Sequence, residues 1–139
     1  MSLDVIYNIM GSAMNAENVR LNTVASNLAN ANSVGTTQAA TYHAKQAVFS
    51  TVYNNSFSPN DFAATVKVAG IVNDSQKPLE KLYEPNNPKA DKAGYVYSPN
   101  VNTAESMANM ISASRSYSTD ISVLNSVRSM QSKLLTLGD

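Results

Sequence analysis

Residues 103–137 read TAESMANMISASRSYSTDISVLNSVRSMQSKLLTL, with no glycine or proline before Gly138. Met107, Met110, Ser114, Tyr117, Ile121 and Leu124 recur at steps of three and four, and Val127, Met130, Leu134 and Leu137 continue on a slightly rotated face. Such spacing predicts an α-helix with one apolar stripe, because 3.6 residues per turn stack these positions above one another. Asn102 with Glu105 three residues on has the form of a capping box, and Pro99 lies just outside it, where a missing N–H does no harm. At 1.5 Å per residue this helix reaches on the order of 50 Å.

The opposite end of the chain has the same texture. From Leu3 to Ala31 there is no proline, the only glycine is Gly11, and Leu3, Ile6, Met10 and Ala13, then Leu21, Val24, Leu28 and Ala31, form a stripe. Glu17 and Arg20 fall on the seam and predict a shift of register there. Ser2 is the expected N-cap and Gly35, after Asn30, Asn32 and Ser33, the expected stop.

Between these helices every proline of the chain appears: Pro59, Pro78, Pro85, Pro88 and Pro99. Short β-favouring runs cover 47–53, 65–72, 79–83 and 95–97, with turns at Asn73-Asp74 and Asn86-Asn87-Pro88. The expected division is therefore an N-terminal helical segment 1–35, a small β or loop-rich segment 36–101, and a C-terminal helical segment 102–139. The expected fold class is α+β, mainly α. Two long terminal helices form an antiparallel coiled-coil hairpin, with the β/loop-rich insert between them. A two-helix hairpin encloses no core, so apolar surface is left for other chains to cover.

Composition narrows the function. At 139 residues there is room for one modest domain. Lys plus Arg balance Asp plus Glu at 10 each, and only 14% of residues are charged. A nucleic-acid partner calls for a surplus of base, which is missing, and weak like-charge repulsion permits association. There is no cysteine, hence no disulfide or thiolate site. Met1-Ser2-Leu3-Asp4 carries an acid where a secretory signal has bases, and no apolar run approaches the ~20 residues of a membrane span. No cleaved signal peptide and no membrane insertion are expected.

Catalysis leaves no sequence mark. His43 stands alone between Tyr42 and Ala44, and the acids Asp61, Asp74, Glu80, Glu84 and Asp91 are not at ligand spacing. No nucleophile elbow, phosphate loop or dinucleotide motif is present. The expectation is a non-enzyme without cofactor or metal. The methionines follow the helical stripes as packing residues, Tyr95 and Tyr97 share a strand face, and Arg115 and Arg128 are expected at a solvated or subunit-facing surface.

Ala25-Ser26-Asn27-Leu28-Ala29-Asn30-Ala31-Asn32-Ser33-Val34-Gly35-Thr36-Thr37, following a striped helix, resembles the signature of the rod, hook and hook-associated proteins of the bacterial flagellar axial structure. The stretch from Gly94 to Asn102, then Glu105 to Tyr117, then Leu134 to Gly138, is similar to the short proximal rod members of that family. Thr36 and Thr37 depart from the aromatic and basic residues often found after the signature glycine.

The resemblance implies a structural subunit, exported through the flagellar type III apparatus without a cleaved signal and polymerising in the part of the basal body that spans the periplasm. It implies terminal helices lining an export channel, with the insert farther out. The implied partners are further copies of itself, other proximal rod subunits, the adaptor to the membrane (MS) ring, the next rod protein outward and the export apparatus. The expected assembly residues are Leu21, Val24, Asn27, Leu28 and Asn30 on the first helix and Met107, Ile111, Tyr117, Ile121, Leu124 and Leu134 on the second. Asn27 and Asn30 are assigned on the resemblance, to bonds that set the helix end. Another rod subunit, a helical adaptor or an export chaperone share these stripes; a cell-wall enzyme would need a cleft with a perturbed carboxylate.

Overall fold

The computed structural model describes residues 3–54 and 63–136. Its elements are α1 (Leu3–Asn30), a short 3-10 turn (Gln38–Ala40), β1 (Lys45–Asn54), β2 (Ala63–Asn73), β3 (Glu80–Tyr83), β4 (Tyr95–Ser98) and α2 (Thr103–Thr136). The expected N-cap Ser2, Pro59 and the stripe residue Leu137 lie outside the described residues.

α2 begins as its sequence demands. The Asn102 side chain accepts from the Glu105 N–H at 3.1 Å, and the Asn102 carbonyl accepts from the Ser106 N–H at 2.9 Å. The return half of the box is not closed, because the Glu105 carboxylate pairs with Lys77 Nζ at 3.0 Å instead. α1 ends without a left-handed glycine. The Ser33 N–H and hydroxyl both donate to the Asn30 carbonyl, at 3.0 and 2.8 Å, and the Asn30 amide donates to Ser26 O at 2.8 Å.

The middle of the chain forms two small antiparallel sheets, β1–β2 and β3–β4. In the first, Lys45 pairs with Asn73 and Asn54 with Ala63, and the register shifts between Val48 and Phe49, where Ala69 is the extra residue. The bulge brings Ile71, paired with Ala47, onto the face that carries Phe49 and Val66. In the second sheet, Tyr83 and Tyr95 are paired and in ring contact, with centroids 5.1 Å apart. Lys81 Nζ stands 4.3 Å from the Tyr95 ring centroid and 5.9 Å from that of Tyr97. Gly94, with φ 82°, makes the turn between these strands, where a Cβ would meet Tyr83 at 2.9 Å. Two bonds between Gly35 and Tyr97, at 2.9 and 2.8 Å, join the segment after α1 to the β4 edge.

The expected coiled-coil hairpin is not what the helices make. They do lie side by side in opposite directions, bridged by the Tyr7 hydroxyl to Gln131 Oε1 at 3.2 Å and by Arg20 Nη2 to Asn109 Oδ1 at 3.4 Å. A coiled coil needs large apolar knobs along both sides of its seam. Here the buried residues of α2 are Ser106, Ala113 and Val127, and those of α1 are Val5, Ala16, Thr23, Val24 and Asn27. α1 also carries the β1–β2 hairpin, so two neighbours share its surface. The Val66 N–H of β2 donates to Ser12 Oγ at 3.2 Å, and Lys45 of β1 is bonded by Asn27. The fold is α+β: two helices and two small sheets around a thin core of valine and alanine.

Candidate assembly surface

The buried residues of α2 are the small Ser106, Ala113 and Val127, and several of its larger apolar residues are left on other faces. Met107 is 51% exposed, Ile111 56%, Ile121 37%, Met130 53% and Leu134 62%. Met107, Ile111 and Ile121 share one side of the helix, while Val123, Met130 and Leu134 fall on another, as 100° per residue requires. The hairpin adds Val48, Phe49, Tyr53, Val66, Ile71 and Val72, all exposed. For one 139-residue chain this is much apolar surface, and such surface marks contact with other macromolecules. A groove on the outer side of α2, lined by Ala108, Ile111, Ser112, Arg115, Ser116, Thr119 and Asp120, runs beside Ile111.

The expected assembly residues separate into two groups. Val24 and Asn27 are buried within the single chain, and Leu21, Leu28, Asn30, Tyr117 and Leu124 are half-buried. Met107, Ile111, Ile121 and Leu134 stand open. The most covered row of α2 is Ser106, Met110, Ala113, Tyr117, Asp120, Leu124 and Val127, one position off the expected stripe at Met107, Ser114 and Ile121.

The motif asparagines hold the chain together where helices and sheets meet. Asn27 Oδ1 accepts from the Lys45 N–H at 2.8 Å and from the Tyr42 hydroxyl at 3.0 Å, while Nδ2 donates to the Lys45 carbonyl at 2.8 Å. Since the single Tyr42 proton goes to Asn27, the Ser26 hydroxyl, 3.0 Å away, donates to the Tyr42 oxygen. Asn100, absent from the sequence expectations, accepts from the Ala44 N–H at 2.7 Å and donates to the carbonyls of Asp74 at 2.9 Å and Lys77 at 2.7 Å. Its signal was its place in the family-like stretch from Gly94 to Asn102, between Pro99 and the α2 cap.

A cleft of about 190 Å³ lies at this junction, lined among others by Arg20, Asn27, Lys77, Asn100, Glu105 and Asn109. Two of its cations are paired: Arg20 Nη1 is 3.7 Å from Glu17, and Lys77 is bonded to Glu105, which raises the lysine pKa above its ordinary value. Lone His43 places Nδ1 3.0 Å from the Thr41 carbonyl, an acceptor only, so Nδ1 carries the proton of that bond. Among the described residues, no three His, Cys, Asp or Glu side chains converge as metal ligands, and no helix is long and apolar enough to cross a membrane.

Two family profiles match the chain. That for "Flagella basal body rod protein" covers residues 8–36, and that for "Flagellar basal body rod FlgEFG protein C-terminal" covers residues 92–137. The flagellar basal-body rod protein FlgC of Salmonella typhimurium is 49% identical over 138 residues, 99% of each chain. FlgC of Escherichia coli O6:H1 is 48% identical over the same span, and that of Borreliella burgdorferi 33% identical over 143 residues, 94% of this chain and 93% of its own. With both helices, both sheets and the asparagine motif inside these full-length matches, the chain belongs to the FlgC family of flagellar basal-body rod proteins.

Proposed function

We propose that the chain is a structural subunit of the proximal rod of the flagellar basal body, acting by packing against its neighbours rather than by catalysis. The observation that carries this reading is the open side of α2, where Met107, Ile111 and Ile121 remain exposed although the helix is already seated on α1. Burying apolar surface is favourable at about 25 cal/mol per Å², so a helix with a second apolar side is built for a second neighbour. Full-length similarity to proteins named as rod proteins supports the same conclusion.

In this reading Met107, Ile111, Ile121 and Leu134 contact other subunits directly. Half-buried Leu21, Leu28, Asn30, Tyr117 and Leu124 complete those contacts at their rim, and buried Val24 and Asn27 shape the surface from within. Segments 1–35 and 102–139 enclose the export channel and carry torque, and segment 36–101 sits farther out. The neighbours are further copies, other proximal rod subunits, the adaptor to the MS ring and the next rod protein outward. The chain reaches its place across the periplasm through the flagellar type III apparatus without a cleaved signal peptide.

Complementing a motility-deficient deletion strain with Ile111→Asp tests the reading. Loss of swimming and of basal bodies, with the variant still produced at normal level, is the expected result. Normal swimming by these cells overturns it.

A further inference from the structure

Ala44 and Lys45, which open the β1–β2 hairpin, are each held by an asparagine from a different part of the chain. Asn27 of α1 grips both backbone polar groups of Lys45, N–H and carbonyl, at 2.8 Å each. Asn100, in the lead-in to α2, takes the Ala44 N–H and donates to the Asp74 and Lys77 carbonyls just beyond β2. Asp74 N–H donates back to the Ala44 carbonyl at 2.7 Å, so the two strand ends close on each other between the two asparagines. Each position uses an acceptor oxygen and a donor nitrogen on separate atoms of one short side chain, which Asn supplies; an ionised Asp has no donor, and Ser has a single oxygen with one proton.

A two-stranded hairpin is marginal by itself; this one also lies along α1, where the Val66 N–H donates to Ser12 Oγ at 3.2 Å, and its base is tied at Ala44 and Lys45. We infer that Asn27 and Asn100 form a two-sided amide clamp that aims the β1–β2 arm, with Asn100 a positioning residue: the arm takes a fixed direction only when α1 and the lead-in to α2 are both seated. The arm carries exposed Phe49, Tyr53, Ile71 and Val72, so the clamp sets where these side chains point relative to the open side of α2. That this direction serves rod assembly rests on the proposed function; that the clamp sets the direction does not.

The chain has no cysteine, so a pair of spin labels can be placed at Ser50→Cys on β1 and Ser112→Cys on α2, both exposed positions. Double electron–electron resonance on the full chain should give one narrow distance. Asn100→Ala should lose that narrow distance while circular dichroism reports unchanged helix. Asn102→Ala, which weakens the α2 cap and leaves the clamp intact, should keep it. An unchanged distribution in Asn100→Ala, or a broad one already in the labelled parent, overturns the inference. Should Asn100→Ala fail to fold, amide exchange in the parent decides. The Ala44 and Lys45 N–H groups should exchange as slowly as the helix amides, and exchange at the rate of the outer hairpin overturns the clamp. A lost narrow distance in a variant whose cells swim normally upholds the clamp and counts against its use in assembly.

Discussion

Replacing Gly35 with alanine tests how the end of α1 is tied to the rest of the chain. Among the described glycines only Gly94 has positive φ, so Gly35 is not required for a left-handed turn. Space is the constraint. A Cβ at Gly35 would stand 2.5 Å from Thr41 Oγ1, 3.0 Å from Thr41 Cα and 3.1 Å from Thr41 N, and the last two are backbone atoms that cannot rotate aside. Relief must open the turn from Gly35 to Thr41 or push Gly35 off β4, where it exchanges bonds of 2.9 and 2.8 Å with Tyr97. Overpacking costs about 1–3 kcal/mol, and loss of one of those hydrogen bonds about 1 kcal/mol more, so roughly 2–4 kcal/mol of destabilisation is expected. Urea unfolding of the purified chain, followed by circular dichroism, measures it. Thr41→Ala in the same chain removes one of the three contacts, so the double variant should lose less than the sum of the singles; a helix cap needing left-handed glycine would be indifferent to Thr41. An unfolding midpoint for Gly35→Ala equal to that of the parent refutes the reasoning.

Gly11, in the middle of α1 with nothing within 4 Å of its would-be Cβ, should behave oppositely, and alanine there should raise stability by about 1 kcal/mol in the same assay. Asn102→Ala should cost about 1 kcal/mol and lower helix content by circular dichroism, because the Glu105 N–H loses its acceptor. Ile111→Asp, more than half exposed in the single chain, should leave the urea midpoint of the purified protein within about 0.5 kcal/mol of the parent, so that any defect in swimming comes from assembly. The Asp91 carboxyl is held below its ordinary pKa, first by the Tyr95 N–H and then by that of Ala93. A depressed pKa adds stability that is full above the ordinary carboxylate value and lost as pH falls through the folded one. The β-turn residues 91–95 should therefore loosen only in strong acid, and an Asp91 titration midpoint by NMR at or above 3.8 contradicts the bonds.

Element placement was legible because local chemistry decides it. Asn102 and Glu105 mark the α2 start that the structure has, and short β-favouring runs mark all four strands to within two residues. Asn86-Asn87-Pro88 is a turn, the Asn87 carbonyl accepting from Ala90 N–H; Asn73 instead ends β2 opposite Lys45, and the chain bends after Asp74, whose Oδ1 accepts from Gln76 N–H. The seam between the helices was not legible. Stripes of Met107, Ile121 and Leu21 follow the largest side chains, whereas Met107 and Ile121 stand open and the buried residues of α2 are Ser106, Ala113 and Val127. Size marks which residues are sticky, not which neighbour they meet, and in a chain built for several neighbours these differ. The junction was half legible: Asn27 belongs to a recognisable motif, but that its partner is the Lys45 backbone depends on a contact across 18 residues. Asn100 depends on one across 56 residues to Ala44, and no local pattern encodes that.

Cysteine labelling in free and assembled protein tests most directly whether the open side of α2 is the surface that other subunits cover. With no native cysteine, Ile111→Cys and Ala113→Cys can be compared with a maleimide in the purified chain and in isolated basal bodies. Position 111 should react quickly in the free chain and be protected in the rod, while position 113, against α1, reacts slowly in both. Equal reactivity of position 111 in the two states contradicts the account.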